Sequence, residues 1–335
     1  MADIKNIMKD DNIVKVLVAQ AKSERLDSEV LANAERLIND LVTEMNPHNR
    51  WLISQLIGYT VNDLLKPQTN FLDQMADVKR VGFGDKALFK VKLDNIRAFV
   101  QAKGSTTPRS KIAHKTLSLD TVDVSARPVI NTVELLAGRV SMADLIREAT
   151  DEMAAKILEV VRGTLETGFA AMSTPYYGSG QGIITTTLNP MIRHWMRYGG
   201  ASVVGDIEIV SKLAEKTGFA ASSSQTQFAD GIINEQNTNG FVGRYIGAEV
   251  AQMVNPYKTG SDTDTVLSID KLFILPTGAS VDARPLKVLF EGDVQSQEAT
   301  NIDDKAYEVR LDQYVGAGLV YGDHPTMSVY EDLSL

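Results

Sequence analysis

The chain has 335 residues and not one of them is cysteine. Disulfides and thiolate metal sites are therefore excluded, a reducing compartment is compatible, and unusual stability must come from packing or assembly. No apolar run of about 20 residues occurs, so no segment can cross a bilayer as a helix. The opening "MADIKNIMKDDN" has no apolar core of a signal peptide. The expectation is a protein made in, or assembled from, the cytosol. Met1 adds the expectation that no large N-terminal segment has been removed.

Catalytic signals are also sparse. His48, His114, His194 and His324 are scattered without HExxH or paired-ligand spacing, as expected of surface or loop residues. No Gly-x-Ser-x-Gly elbow occurs. "GSGQG" at 178–182 has the glycines of a phosphate-cradling loop, but it follows no clear strand and has no P-loop lysine. Asp262 and Asp264 in "GSDTDT" stand two apart without the remaining ligands of a calcium loop, and read as a solvated turn. These absences predict a protein that is not an enzyme and has no cofactor and no metal.

What is present is an ordinary core composition with an uneven charge. Hydrophobic residues make up 44% and charged residues 23%, enough for a folded protein of two or three subdomains. Ten Lys or Arg against two Asp between Lys79 and Lys115 give that stretch +8, leaving −17 elsewhere for a total of −9. A basic segment on an acidic body can bind nucleic acid, rest on an acidic surface or be a solvated loop. Its aromatics are few, Phe83, Phe89 and Phe99, which argues against base stacking.

The longest periodic stretch is "GRVSMADLIREATDEMAAKILEVVRGTLETGF". Ser141 is placed to cap a helix, Asp144 sits near its positive end, and Gly168 is the expected stop. Met142, Ile146, Ala149, Met153, Ile157, Val160 and Thr164 advance by threes and fours, widened by Leu145, Val161 and Leu165. Charged residues fill the other face. A helix over 141–167 would be roughly 39 Å long at 1.5 Å per residue.

Before it, residues 1 to about 46 read as amphipathic helices without an obvious mutual core, closed by Pro47. A further helix is expected from about Asn49 to Leu65, ended by Pro67. These elements are expected to pack on something else, such as a neighbouring copy. From 81 to 130 the period falls to two, with Leu88, Lys90 and Lys92 alternating against Phe89, Val91 and Leu93, and the tip is rich in Gly, Ser, Thr and Pro. Such a ribbon is marginally stable alone and needs a surface to lie on. After the long helix, a linker leads to a second lobe with a short helix in "GDIEIVSKLAEKTGF", where Ile207, Val210, Leu213 and Ala214 point inward and Gly218 stops it. "NGFVGRYIGAEVAQMVNPY", "LFILPTG" and "PLKVLFEGDV" read as strands. "AYEVRLDQYVGAGLVYGDHPTMSVYED" reads as a bent strand pair around Gly316 and Gly318.

In this order the elements resemble the major capsid protein of tailed bacteriophages, the Hong Kong 97-like fold shared with encapsulin shells. "GDKALFKVKL" to "SKIAHKTLSLDTV" is similar to that family's extended E-loop, and "SARPVINTVELLAGRVSMADLIREATDEMAAKILEVV" to its approach strand and spine helix. The resemblance implies an α+β fold: a helical N-terminal arm (1–47), a helix and linker (48–78), an E-loop (79–126) and a peripheral domain (127–184) with spine helix 141–167. An axial domain (185–290) and returning strands (291–335) complete it. It implies a head protein that self-assembles into hexamers and pentamers of an icosahedral shell around double-stranded DNA, bound without sequence specificity. Portal and scaffold or decoration proteins would be further partners, no membrane is involved, and the protein would enter the virion after assembly in the host cytoplasm. The site it implies is a contact between copies. Lys90, Lys92, Arg97, Lys103, Arg109 and Lys111 of one E-loop would face Glu148, Asp151, Glu152 and Glu159 on a neighbour's spine helix, with Phe89, Phe99 and the arm helices supplying most of the affinity. No matching Asn and Glu identify a cross-link between copies. Alternatives are an encapsulin-type nanocompartment shell and a phage tail structural protein.

Overall fold

The computed structural model describes residues 12–44, 46–70, 72–93, 106, 113–130, 132–137, 139–215, 241, 243–253, 255–258, 260–277, 283–300, 307–322 and 325–335. Ile4, Ile7 and Met8, nearly all of the ribbon tip, and Gly218 lie outside them.

From Asn12 to Met75 the described residues are mainly helical: α1 (Asn12–Ala21), α2 (Ser28–Thr43), α3 (Pro47–Thr69) and a single turn, α4 (Leu72–Met75). Pro47 opens α3 rather than merely closing what precedes it. Asn46 caps that helix, its Oδ1 accepting from the Asn49 amide at 2.8 Å, and proline is well tolerated in a first turn. Pro67 sits inside the last turn, so the helix ends only at Thr69.

Two sheets follow. The first comprises β1 (Asp77–Val81), β4 (Val122–Ala126), β5 (Val129–Ile130), β11 (Leu286–Thr300) and β12 (Tyr307–Leu319), in the order β1-β11-β12-β4 with β5 also on β12. β1 runs parallel to β11, and the other pairings are antiparallel. A two-stranded ribbon, β2 (Phe89–Leu93) with β3 (Ala113–Leu117), stands apart from this sheet. After a short helix, α5 (Thr132–Leu136), comes the long helix α6 (Met142–Ala170).

The second sheet has six strands: β6 (Tyr177–Gly180), β7 (Ala201–Gly205), β8 (Arg244–Tyr245), β9 (Ala248–Gln252), β10 (Lys271–Pro276) and β13 (Ser328–Asp332), ordered β6-β13-β10-β7-β9-β8. Two helices, α7 (Thr185–Met196) and α8 (Ile207–Glu215), share a separate core with it, in which Leu188, Ile192, Val203, Leu272 and Tyr330 are buried.

Helix α6 joins the two. Ser141 caps it as expected, its Oγ accepting from the Ala143 amide at 3.2 Å. Ile146, Met153, Ile157 and Val161 are buried in one core with Val288, Val309, Leu311 and Val315 of the first sheet. The expected stripe drifts, however: Val160 and Thr164 are only half-buried, while Leu158, Leu165 and Phe169 are buried. Gly168 does not stop the helix. It lies within the last turn because β12 passes so close that a Cβ there would come within 2.7 Å of Leu319 Cδ2.

Three other expectations are corrected. The N-terminal helices do find a core in their own chain, since Ile13, Leu17, Ile38, Val42, Ile57 and Val61 join the cluster around α6. In α8 it is Ile209, with Val210 and Leu213, that is fully buried, while Ile207 in the first turn is half-buried and the Ala214 side chain lies outside the described residues. Residues 307–332 are not a strand pair. β12 runs straight through Gly316 and Gly318, where Asp120 O and Leu119 Cδ2 would lie 2.7 and 2.4 Å from an added Cβ, and β13 belongs to the other sheet.

Candidate assembly interface

The base of the ribbon is pinned to its own body. β2 and β3 pair antiparallel from Phe89 opposite Leu117 to Leu93 opposite Ala113. Strand alternation sends Phe89 and Val91 inward and Lys90 outward. Phe89 is fully buried against Ala87 and Leu289, and its ring is approached by Lys79 Nζ at 4.8 Å and Lys287 Nζ at 6.0 Å. The expectation that Phe89 supplies affinity between copies is thereby overturned, because its surface is already spent on its own fold. Lys90 is exposed, whereas the Lys92 side chain lies outside the described residues. Arg97, Lys103, Arg109, Lys111 and Phe99 lie outside the described residues.

On α6 the four predicted carboxylates are all exposed. Glu148, Glu152 and Glu159 are spaced by four and seven and so share one stripe. Two of the four already have partners within the chain. Asp151 accepts from Gln68 Nε2 of α3 at 2.7 Å, and Glu159 takes the Lys156 ammonium at 2.5 Å. That hydrogen bond holds the Glu159 carboxyl below its ordinary range and raises the Lys156 ammonium. Exposed pairs of this kind contribute only about 0.2–1 kcal/mol, so a partner's cations can displace them.

The charged residues nearest the end of α6 have a different role. Glu166 accepts from Arg162 Nε at 2.8 Å and from Ser268 Oγ at 2.6 Å, while Lys271 Nζ on β10 lies 3.4 Å from both Glu166 and Glu331 of β13. Partial burial pushes the Glu166 carboxyl up, but the hydrogen bonds from Ser268 and Arg162 and the Lys271 charge outweigh it, and it settles at about 2. Tyr177 donates to Glu331, and that bond, with burial, pushes the phenol up to about 12. Beneath these groups is a cavity of about 230 Å³ lined by Leu165, Phe169, Phe273 and Val329. This network fastens the helix to the second sheet. Glu166 is one of the charged residues on the other face of the helix, and nothing local reveals Lys271, which is 105 residues away.

A second surface went unread. Val129, Val133, Leu136 and Val140, close together in the sequence just before α6, are each exposed, Val133 by 73%. In "PVINTVELLAGRV" these four residues advance by four, three and four, a one-sided apolar spacing that was the signal available.

The glycine-rich stretch at 178–182 is accounted for internally. It does include a strand, β6, where Gly178 and Gly180 leave room for Thr187 and Ile184, and the Gly182 amide is taken by Asp332 Oδ1 at 2.7 Å. Asp262 and Asp264 are exposed in a turn whose Thr263 and Asp264 amides donate to Ser261 Oγ. Among the described residues no group of three or more His, Cys, Asp or Glu could hold a metal. No described helix is long and apolar enough to cross a membrane.

A profile of the family described as "SPbeta prophage-derived putative capsid protein YonB" matches residues 1–329. The chain belongs to this capsid protein family. No curated protein sequence matches it. Solved capsids share the architecture at low identity. The mature capsid of bacteriophage PhiM1 superposes with a TM-score of 0.51 and 9% identity over 78% of this chain and 86% of that one. The cyanophage P-SCSP1u capsid gives 0.50 and 10% over 78% and 87%. A Gordonia phage Cozz chain gives 0.50 and 13% over 78% and 85%. At such identities these likenesses show the fold, which is the Hong Kong 97-like capsid fold. With the family they make the chain a phage major capsid protein, a virion component that assembles with copies of itself. Its family role is structural rather than enzymatic.

Proposed function

We propose that the chain forms hexamers and pentamers of a closed icosahedral shell around double-stranded DNA, with a portal and a scaffold or decoration protein as further partners, assembled in the host cytoplasm. The family match over residues 1–329 carries this reading. The net charge of −9 supports it physically, because an acidic or neutral wall lets a packaged polyanion slide where a basic wall would trap it.

In this reading the first sheet with α6 is the peripheral domain, and the second sheet with α7 and α8 is the axial domain, to which β6 before α7 and β13 after β12 also contribute. The ribbon is the E-loop and α1–α3 are the arm. The E-loop cations Lys90, Lys92, Arg97, Lys103, Arg109 and Lys111 meet a neighbour's Glu148, Glu152 and Glu159. Asp151 is a lesser member because Gln68 already holds it. Apolar affinity comes from the exposed Val129, Val133, Leu136 and Val140 just before α6 rather than from Phe89.

Electron microscopy of the chain expressed alone tests this. Closed shells are the expected outcome. Tubes would transfer the protein to the tail, and uniform monomers under assembly conditions would overturn self-sufficient shell formation.

A further inference from the structure

Lys287 and Asp77 are the most deeply buried opposite charges in the described fold. Their Nζ and Oδ2 atoms are 2.9 Å apart, with side-chain exposures of 0% and 5%. They are directly registered Cα partners on the parallel strands β11 and β1, so both side chains leave the sheet on the same face. Phe89 roofs the pair, with Ala87 and Leu289 completing a small apolar cluster beside it. Lys79, two residues on along β1 and therefore on that same face, holds a second ammonium over the Phe89 ring at 4.8 Å.

Burying an ion pair is costly. Desolvating two charges is expensive, and their attraction often fails to repay it. A neutral arrangement of the same atoms is available. The two groups are an amine nucleophile and a carboxyl electrophile held in contact, and effective concentrations of well-oriented intramolecular partners reach about 10⁵–10⁸ M.

We infer that Lys287 and Asp77 condense into an isopeptide bond that staples β1 to β11 within one chain. The step balances without any co-reactant. Nζ, having passed a proton to the carboxylate, attacks Cγ of Asp77. The Cγ–Oδ2 bond breaks, and that oxygen leaves as water with two of the three ammonium hydrogens, the third remaining on the amide nitrogen. A cation and an anion become a neutral amide and one water, with no oxidation or reduction. The product would be the chain's own cross-link, in a protein without cysteine, at the strand from which the E-loop departs.

Intact-mass measurement of the purified, denatured full-length chain tests the inference without any substitution. The expected result is a mass one water, about 18 Da, below that of the sequence. Proteolysis should then yield a branched peptide joining the Asp77 and Lys287 segments. A Lys287→Met chain should return to its own full sequence mass. A wild-type chain at full mass with the two segments released separately, or a water deficit that maps elsewhere, overturns the bond and leaves a plain buried ion pair.

Discussion

Gly163 and Gly168 stand five residues apart in one helix under opposite constraints. An added Cβ at Gly163 meets nothing within 4 Å, so that position carries the backbone-entropy cost of glycine without any packing reason. Gly163→Ala is expected to stabilise the unassembled subunit by about 0.5–1 kcal/mol in denaturant unfolding. Gly168→Ala should not, because its Cβ would press on Leu319 at 2.7 Å and overpacking typically costs about 1–3 kcal/mol. If both variants shift the midpoint equally, the close approach of β12 is wrong. Phe89 makes the third case. It is fully buried under the ribbon, and Phe89→Ala should cost about 3–5 kcal/mol in the same unfolding measurement, far beyond what a surface contact between copies would lose on truncation.

Helix α6 behaves as two segments. Its first five turns are held to the first sheet by apolar burial, and its end is held to the second sheet by the Glu166, Ser268, Arg162 and Lys271 network. The pH dependence follows from the sign of each shift. The Glu166 carboxyl sits at about 2 in the fold against 4.5 in the unfolded chain, so its contribution is full above 4.5 and fades as pH falls toward 2. Lys271, lifted above 10.5 by Asp270, Glu166 and Glu331 against the opposing effect of burial, contributes below that value and loses its contribution at still higher pH. Glu166→Gln should therefore flatten the subunit's stability profile between pH 5 and 2, read by denaturant unfolding across that range. An unchanged acid slope would remove Glu166 from the fastening.

In the proposed shell, the contact between copies would be electrostatic in register and apolar in affinity. Reversing Lys103, Arg109 and Lys111 to Glu together should abolish shells while leaving soluble, folded subunits, as seen by sedimentation and microscopy. Normal particles from that variant would remove the E-loop from the contact with the carboxylates of α6. Wild-type assembly should also weaken as salt rises through about 0.1–1 M, where the Debye length falls from about 10 to 3 Å. Within that proposal the four carboxylates are not equivalent. Glu148 and Glu152 are exposed on the shared stripe, while Asp151 is shielded by Gln68 and Glu159 must first release Lys156.

Periodicity alone was enough to place the long helix, its Ser141 cap, the alternating ribbon and the short helix at 207, because each is written in neighbours a few residues apart. The order of those elements carried the resemblance to capsid proteins. What could not be read there was every decision made by residues far apart in the chain. Gly168 looked like a stop until β12 was seen to cross it, Phe89 looked available until Leu289 and Lys287 were found around it, and the arm helices appeared coreless until α6 supplied their core. Local sequence sets which dihedrals and faces are favourable, whereas burial and charge pairing depend on which distant side chains arrive at the same place, and only the folded chain brings Asp77 to Lys287 or Glu166 to Lys271.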